Sequence, residues 1–330
     1  MDERIDRIRA AVEAHGAKVH EVKPLHGGAC QENFRVDLEV DGQPLRLALR
    51  SDAPTSLPNS IRREAEFDVI GEAVKAGVKT PAARWRTKGL LRPGADAYFL
   101  DWAGGEAIGR RVVRNPELEG ARKALPEHLA ESLAKLHRVT PASAPHLGVS
   151  RPTQGPARTA LNELRRQLDG VPGVYPAVEF ALRRLEARLP TTEETVLCHG
   201  DFRTGNFLVA PEGLTAILDW EFSHFGSPYE DLAWISMRDW RFGRLDKPVG
   251  GFAERAPFYA AYERHSGRTV DQAQVWWWEI VSNLRWAVGS VYQGERYLSG
   301  EQTDLELIAI ARRNVEMEFE ALRLIKKGSL

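Results

Sequence analysis

Residues 196–221 read VLCHGDFRTGNFLVAPEGLTAILDWE and hold two acids and an amide at spacings that suit one reaction. Asp201 follows His199 and Gly200, Asn206 stands five residues on, and Asp219 comes thirteen residues after Asn206. A carboxylate beside a hydroxyl orients it and accepts its proton. An amide oxygen and a second carboxylate are hard ligands that suit Mg²⁺, which carries phosphates. Converging on one space, they can orient a hydroxyl and hold a Mg²⁺ that carries phosphates. Between Asn206 and Asp219, the turn Pro211, Glu212, Gly213 lies between apolar runs. That pattern predicts a β-hairpin that folds Asp219 back toward Asn206.

The Asp-x-x-x-x-Asn loop followed by a metal-binding Asp is the arrangement of protein-kinase-like enzymes. With Gly before Asp201 and DWE in place of DFG, the chain resembles the aminoglycoside phosphotransferase and choline kinase-like family more than protein kinases. The nearest branch is the one associated with acyl-CoA dehydrogenases. The resemblance is strong over residues 196–235 and extends more weakly from about Leu25 onward. It implies an α+β, bilobal, protein-kinase-like fold that uses ATP and Mg²⁺. In this reading Asp201 orients the acceptor and Arg203 neutralises the transferred phosphate. Asn206 and Asp219 hold the metal, and Glu221 serves a second metal or supports the first. His199 supports the loop and Asp231 braces it. Each has an ordinary alternative when taken singly: a turn cap for Asp201, a solvated cation for Arg203, a surface acid for Glu221, a helix-opening acid for Asp231.

The same resemblance asks the N-terminal lobe for a strand cation on the phosphates and a helix acid to hold it. Arg50, where Lys is usual, and Glu66 take these places. Arg grips phosphate by a different geometry from Lys. HGGACQEN, residues 26–33, falls between two strands, where Gly27 and Gly28 would let backbone N–H groups approach an anion. A plain hairpin turn is the alternative there. Asp101 and Ala103 align with the adenine-binding hinge, through backbone groups.

The elements that must position these residues follow from periodicity. Ile5, Ile8 and Val12 mark a first helix. Alternating residues from Val19 to Arg50, broken by glycine turns, predict three antiparallel strands. A helix over 60–76 and two strands over 78–103 complete a lobe of residues 1–103. Gly104 and Gly105 mark a hinge to a helical lobe of residues 104–330. There the pattern predicts helices over 126–138, 157–169, 176–189, 229–239, 256–266, 271–293 and 301–327, the last opened by a capping box from Ser299 to Gln302.

Composition narrows the class. The chain of 330 residues has 43% hydrophobic and 28% charged residues and a net charge of -1, so no whole-protein charge draws it to nucleic acid or acidic membrane. No apolar run reaches the length of a membrane span. The N-terminus lacks a signal-peptide core, and a cytoplasmic enzyme is expected. Cys30 and Cys198 are too few for a disulfide framework or a four-ligand zinc site.

The acceptor is read less directly. Six of nine tryptophans lie between Trp234 and Trp286, and acids balance bases from His224 to Gly300. That balance disfavours a polycationic aminoglycoside. Arg238, Arg241, Arg244 and Lys247 form a basic cluster that suits an anionic, partly apolar small molecule such as a hydroxyacyl-CoA; ordinary surface cations are the alternative. A nucleotide-binding regulator without turnover remains open through Arg50. A hydrolase built on Cys198 and His199 is disfavoured, because strand neighbours face opposite sides.

Overall fold

The computed structural model describes residues 3–25, 31–52, 57 and 59–330. Gly27 and Gly28 lie outside the described residues. The chain opens with α1 (Glu3–Glu13), then β1 (Lys18–Leu25), β2 (Gln31–Val40) and β3 (Gln43–Asp52). Asp41 and Gly42 join β2 to β3 with φ of 50° and 76°. Two positive φ values match the right-handed twist of a two-residue hairpin, which explains Asp-Gly here. After α2 (Arg63–Lys75) come β4 (Ala83–Lys88) and β5 (Asp96–Asp101). The five strands form one antiparallel sheet in the order β1-β2-β3-β5-β4.

Strand alternation sorts the two faces of this sheet. Leu47 and Leu49 of β3 join Ile8 and Val12 of α1, Phe34, Val36 and Phe99 in one core. The intervening residues face α2: Tyr98 and Leu100 share a second core with Val69, Ile70 and Ala73. Arg50, paired with Tyr98 across the sheet, therefore points toward α2 and the cleft.

The second lobe comprises α3 (Gly109–Arg114), α4 (Glu119–Leu136), α5 (Pro156–Asp169) and α6 (Pro176–Glu186), then four short strands. β6 (Val196–Cys198) pairs with β9 (His224–Gly226), and β7 (Phe207–Ala210) with β8 (Gly213–Ile217). The helices resume with α7 (Pro228–Trp234), α8 (Arg255–Ser266), α9 (Gln272–Leu298), α10 (Glu306–Ala311) and α11 (Asn314–Lys327). No helix among the described residues is long and apolar enough to cross a membrane. The core that begins at α2 runs on through α4, α7 and α9, so the lobes share packing.

Several helix boundaries differ from the sequence expectation: α9 runs to Leu298, past the expected 293, α6 ends at Glu186, short of the expected 189, and α3 lies outside the expected helices. α4 begins at Glu119, seven residues before Pro126, which sits inside the helix and is buried. Proline reads as a helix start, but packing of Leu125, Pro126 and Leu129 carries the helix through it. The expected helix over 229–239 ends at Trp234, and a separate 3-10 turn covers Arg238–Arg241. The expected helix over 301–327 is two helices, and Ser299 closes α9 instead of opening the next element. No Gly or Pro marks the break after Ala311, so sequence punctuation passes over it.

Candidate active site

The hairpin of β7 and β8 closes on the pair Ala210 and Gly213, leaving Pro211 and Glu212 at its tip. At its open end Leu218 N–H donates to the Asn206 carbonyl at 2.8 Å, which brings the next residue, Asp219, alongside. Asp219 has φ of 68°. A non-glycine residue in the left-handed region is strained by about 1–3 kcal/mol, and such strain gathers at functional sites.

Asp201 lies on the loop between β6 and β7 and is 8% exposed. Its Oδ2 accepts from Asn206 Nδ2 at 2.7 Å, and its Oδ1 accepts from Trp234 Nε1 at 2.7 Å. Arg203 Nε donates to both oxygens, at 2.9 and 3.2 Å. Because the Asn206 amide nitrogen is committed to Asp201, its Oδ1 is the atom left to act as a ligand.

Asp231, at the start of α7, is fully buried and grips this loop by its backbone. Its carboxylate accepts His199 N–H at 2.8 Å and Gly200 N–H at 3.0 Å. His137 Nε2 meets it at 3.2 Å, and His137 Nδ1 meets the Tyr262 hydroxyl at 2.8 Å. Burial alone would raise the Asp231 carboxyl, but the His137 hydrogen bond and the His199 amide outweigh it and hold it below the usual range. His199 accepts Asp201 N–H on Nδ1 at 3.2 Å, so Nε2 donates to the Leu218 carbonyl at 3.0 Å. One imidazole thus joins the Asp201 loop to the residue before Asp219. Gly200 has φ of 81°, and a Cβ there would fall on the Phe222 carbonyl. Glycine precedes the acid because no side chain fits.

The N-terminal lobe meets this loop through five charged groups. Arg50 Nη2 donates to Glu66 at 3.1 Å and to Asp219 Oδ1 at 2.9 Å. Arg63 bonds the other oxygen of Glu66 and donates to Glu221 at 2.9 Å. Ser60 Oγ also donates to Glu221, and Ile61 N–H to its carbonyl. Burial resists ionisation of Asp219, but Arg50 prevails and lowers its carboxyl. Burial and the neighbouring Asp219 raise that of Glu221. Three carboxylates face two guanidiniums in this network, a balance that accommodates a further cation. Two hard oxygen donors, Asn206 and Asp219, suit Mg²⁺.

At the hinge, the Asp101 side chain is held by Arg84. Asp101 N–H donates to Ala82, and Trp102 N–H to Arg46. Ala103 follows directly, at the end of the sheet's pairing. Beyond the hinge Gly105, φ 143°, lets the chain approach β7, since a Cβ would stand 2.9 Å from Val209 N.

The basic cluster is not a free anion surface. Arg241 is buried against Ser236 and Glu279, Arg244 pairs with Asp246, Lys247 with Glu254, and Arg238 lies 3.9 Å from Glu320. The cations beside Asp201 are others: Arg203 lies over Trp240 at 4.4 Å and Arg285 over Trp234 at 5.2 Å. Trp240 in turn packs against Trp286. Trp276, Trp277 and Trp278 are all buried, because helices surround α9. The Cys198 thiol is buried, donates to the Ser227 carbonyl and is pushed well above its ordinary pKa by burial, which suits no nucleophile.

Sequence reasoning missed Trp234, Arg63 and Ser60 as neighbours of the site. A signal existed for Trp234: it stands three residues after Asp231 on α7, on the same face. Arg63 and Ser60 carried none, since only the lobe packing brings them to Glu221.

A sequence model of the phosphotransferase enzyme family (APH) matches residues 21–268. Acyl-CoA dehydrogenase family member 11 of Gallus gallus is 29% identical over 62% of this chain and 26% of its own length. Acyl-CoA dehydrogenase family member 10 of Mus musculus is 26% identical over 54% of this chain and 17% of its own. The chain therefore spans only about a quarter or less of these curated relatives. A crystal structure from Ralstonia eutropha, provisionally assigned as an aminoglycoside phosphotransferase, superposes with a TM-score of 0.75 at 20% identity, over 98% of each chain. Aminoglycoside phosphotransferase APH(4)-Ia, in complex with ADP and hygromycin B, does so at 0.66 and 17%, over 95% of this chain and 96% of its own. At such identities the likeness is one of fold.

Proposed function

The chain belongs to the phosphotransferase enzyme (APH) family, and from that premise we propose that it transfers the γ-phosphate of ATP to a hydroxyl of a small molecule. The observation that carries this reading is the Asp201 carboxylate, held by Asn206, Arg203 and Trp234 beside the Asp219 end of the hairpin. Residues 1–103 would cover the nucleotide, with Arg50, held by Glu66, on its phosphates and the backbone at Asp101 and Ala103 on its base. Residues 104–330 would carry the catalytic loop and the acceptor. Asn206 and Asp219, with Glu221 in support, would hold Mg²⁺, which when bound shields phosphate charge.

Asp201 orients the acceptor hydroxyl and takes up its proton as the oxygen bonds to the γ-phosphorus. The bond from that phosphorus to the β,γ-bridging oxygen breaks, and ADP leaves with the bonding pair. Arg203 offsets charge on the transferred group. His199 and Asp231 keep the loop in place. ATP use is supported by the fold neighbour that binds ADP. For the acceptor we favour a hydroxyacyl-CoA or another partly apolar anionic compound. The acyl-CoA dehydrogenase relatives support it.

The test incubates a metabolite extract, supplemented with hydroxyacyl-CoA compounds and aminoglycosides, with Mg·ATP and enzyme, and reads products by mass spectrometry. A mass gain of one phosphate on one compound class is expected. Asp201→Asn should slow it on the order of 10²–10⁴-fold. Equal rates in variant and wild type would overturn the assignment of Asp201.

A further inference from the structure

Asp201 is the pivot of the proposed reaction, and its side chain has a built-in freedom. The χ2 torsion of an aspartate is broad and roughly two-fold, so a carboxylate held on one oxygen can rotate. Arg203 does not stop this rotation alone, because one Nε serves both oxygens. Asn206 holds only Oδ2. The second fixed point is Trp234, whose Nε1–H meets Oδ1 at 2.7 Å.

The indole is itself well fixed. Trp234 is 7% exposed and ends α7, whose start carries Asp231, the residue that grips His199 and Gly200. One rigid helix thus holds the catalytic loop at the backbone by one end and at the carboxylate by the other. Ser227 and Glu230 cap that helix reciprocally. Arg285 lies over the indole face at 5.2 Å and pairs with Glu230 at 3.3 Å. A cation on the face of the ring draws density from it and makes its N–H a stronger donor.

We propose that Trp234 is a positioning residue for phosphoryl transfer: its indole N–H fixes the carboxylate plane of Asp201 so that one lone pair stays directed at the acceptor hydroxyl. The proposal rests on the phosphotransferase reading above. Asn206 and Trp234 each occupy a lone pair, on opposite oxygens, and the single Arg203 Nε–H is shared between the two, so the acceptor hydroxyl would take the lone pair that Arg203 gives up on one oxygen. Without Trp234 the carboxylate can turn further onto Arg203, and the remaining lone pair loses its aim. The cost falls on the chemical step, and Mg·ATP binding is spared.

Two measurements separate this role from plain packing. The first compares Trp234→Phe with wild type for turnover on the identified acceptor, or for Mg·ATP hydrolysis with water as acceptor. The expected result is a kcat lower on the order of 10–100-fold with KM for Mg·ATP unchanged. Trp276→Phe is the control: it also removes a buried indole N–H, there donated to the Leu324 carbonyl in another part of the fold, and should leave kcat unchanged. An unchanged kcat in Trp234→Phe, or equal losses in both variants, would overturn the proposal. The second measurement needs no turnover and no Trp234 variant. In ¹H–¹⁵N spectra of the folded protein the Trp234 indole resonance should lie downfield and move upfield in Asp201→Asn. A wild-type resonance at the ordinary indole position, indifferent also to Asp201→Ala, which leaves no side-chain oxygen to accept, would show that the hydrogen bond is absent in solution. Wild-type protein inactive on every acceptor, with the indole shift present, would sink the phosphotransferase reading and leave the contact standing.

Discussion

The two sides of the cleft hold their acids in opposite ways. On the nucleotide side Arg50, Arg63, Glu66, Asp219 and Glu221 form one continuous network of charges across the lobes. On the acceptor side a single acid, Asp201, is held by Asn206, Trp234 and Arg203, with aromatic rings around them. Under the proposed reaction the difference follows from what each side would meet. Phosphates and a divalent cation change the local charge by several units, and a network of ion pairs can redistribute to absorb that. A hydroxyl brings no charge but needs a fixed direction, which one cation and two neutral donors supply: Arg203 and Asn206 from the loop and Trp234 from α7. The nucleotide side should therefore fail by losing stability when its balance is broken. The acceptor side should fail by losing rate.

The sharpest way to break this contrast is Glu66→Gln. Glu66 is fully buried, and each of its oxygens bonds a different arginine. Gln keeps the volume and removes the charge, leaving Arg50 and Arg63 with less compensation. Removing one partner of a buried ion pair costs about 3–5 kcal/mol. Urea denaturation should show that loss, while the same measurement on Asp201→Asn should show much less. Comparable losses in both would mean that the two sides are held alike.

A smaller effect is expected from Arg50→Lys, and it sharpens the comparison. Arg in the usual Lys position looks like a departure, because the guanidinium fork favours paired bonds. Here one nitrogen, Nη2, serves both Glu66 and Asp219, and Nε is buried without a hydrogen-bond partner among the described residues. Arg50 is used as a point donor, much as an ammonium would be. Arg50→Lys should keep stability within about 1 kcal/mol and Mg·ATP affinity within about tenfold, whereas Arg50→Met should lose far more. Isothermal titration with Mg·ATP distinguishes them, and a Lys variant as weak as Met would show that the fork is needed.

How much was legible in the sequence follows the same division. The β7–β8 hairpin and the Asp41–Gly42 turn were readable because turn chemistry is local. Arg50 and Glu66 were found as a pair by resemblance, and strand alternation accounts for the side Arg50 faces. Arg63 and Ser60 were not found, because their partner Glu221 is more than 150 residues away in the chain and only lobe packing joins them. For the basic cluster at Arg238, Arg241, Arg244 and Lys247 the sequence leaves an anion site and ordinary paired cations both open, for a related reason. Spacing shows that cations are near one another, but not that Glu279, Asp246, Glu254 and Glu320 fold back to meet them. Helix breaks without Gly or Pro, as after Ala311, leave no local mark at all.

The smallest expected effect probes how weakly charge coupling supports the acceptor side. His224 donates from Nε2 toward Glu230 at 3.0 Å and from Nδ1 toward the Phe222 carbonyl at 2.9 Å. Two acceptors on one ring select the imidazolium. Burial opposes that charge, and Arg285 faces the same pair, but Glu230 prevails and raises the His224 pKa above its ordinary 6.5. A folded value above the unfolded one stabilises fully below about pH 6.5 and ceases to stabilise as pH rises through the raised value. Glu230 caps α7, the helix that carries Asp231 and Trp234, so the loss falls on the support of the catalytic loop. Wild type should therefore become slightly less stable, in thermal unfolding, as pH rises from 6 to 9. His224→Gln should flatten this part of the profile while remaining less stable than wild type at pH 6. A profile unchanged by His224→Gln would show that α7 is held by its packing and cap alone, and a slope as large as the Glu66→Gln loss would erase the distinction between the two sides.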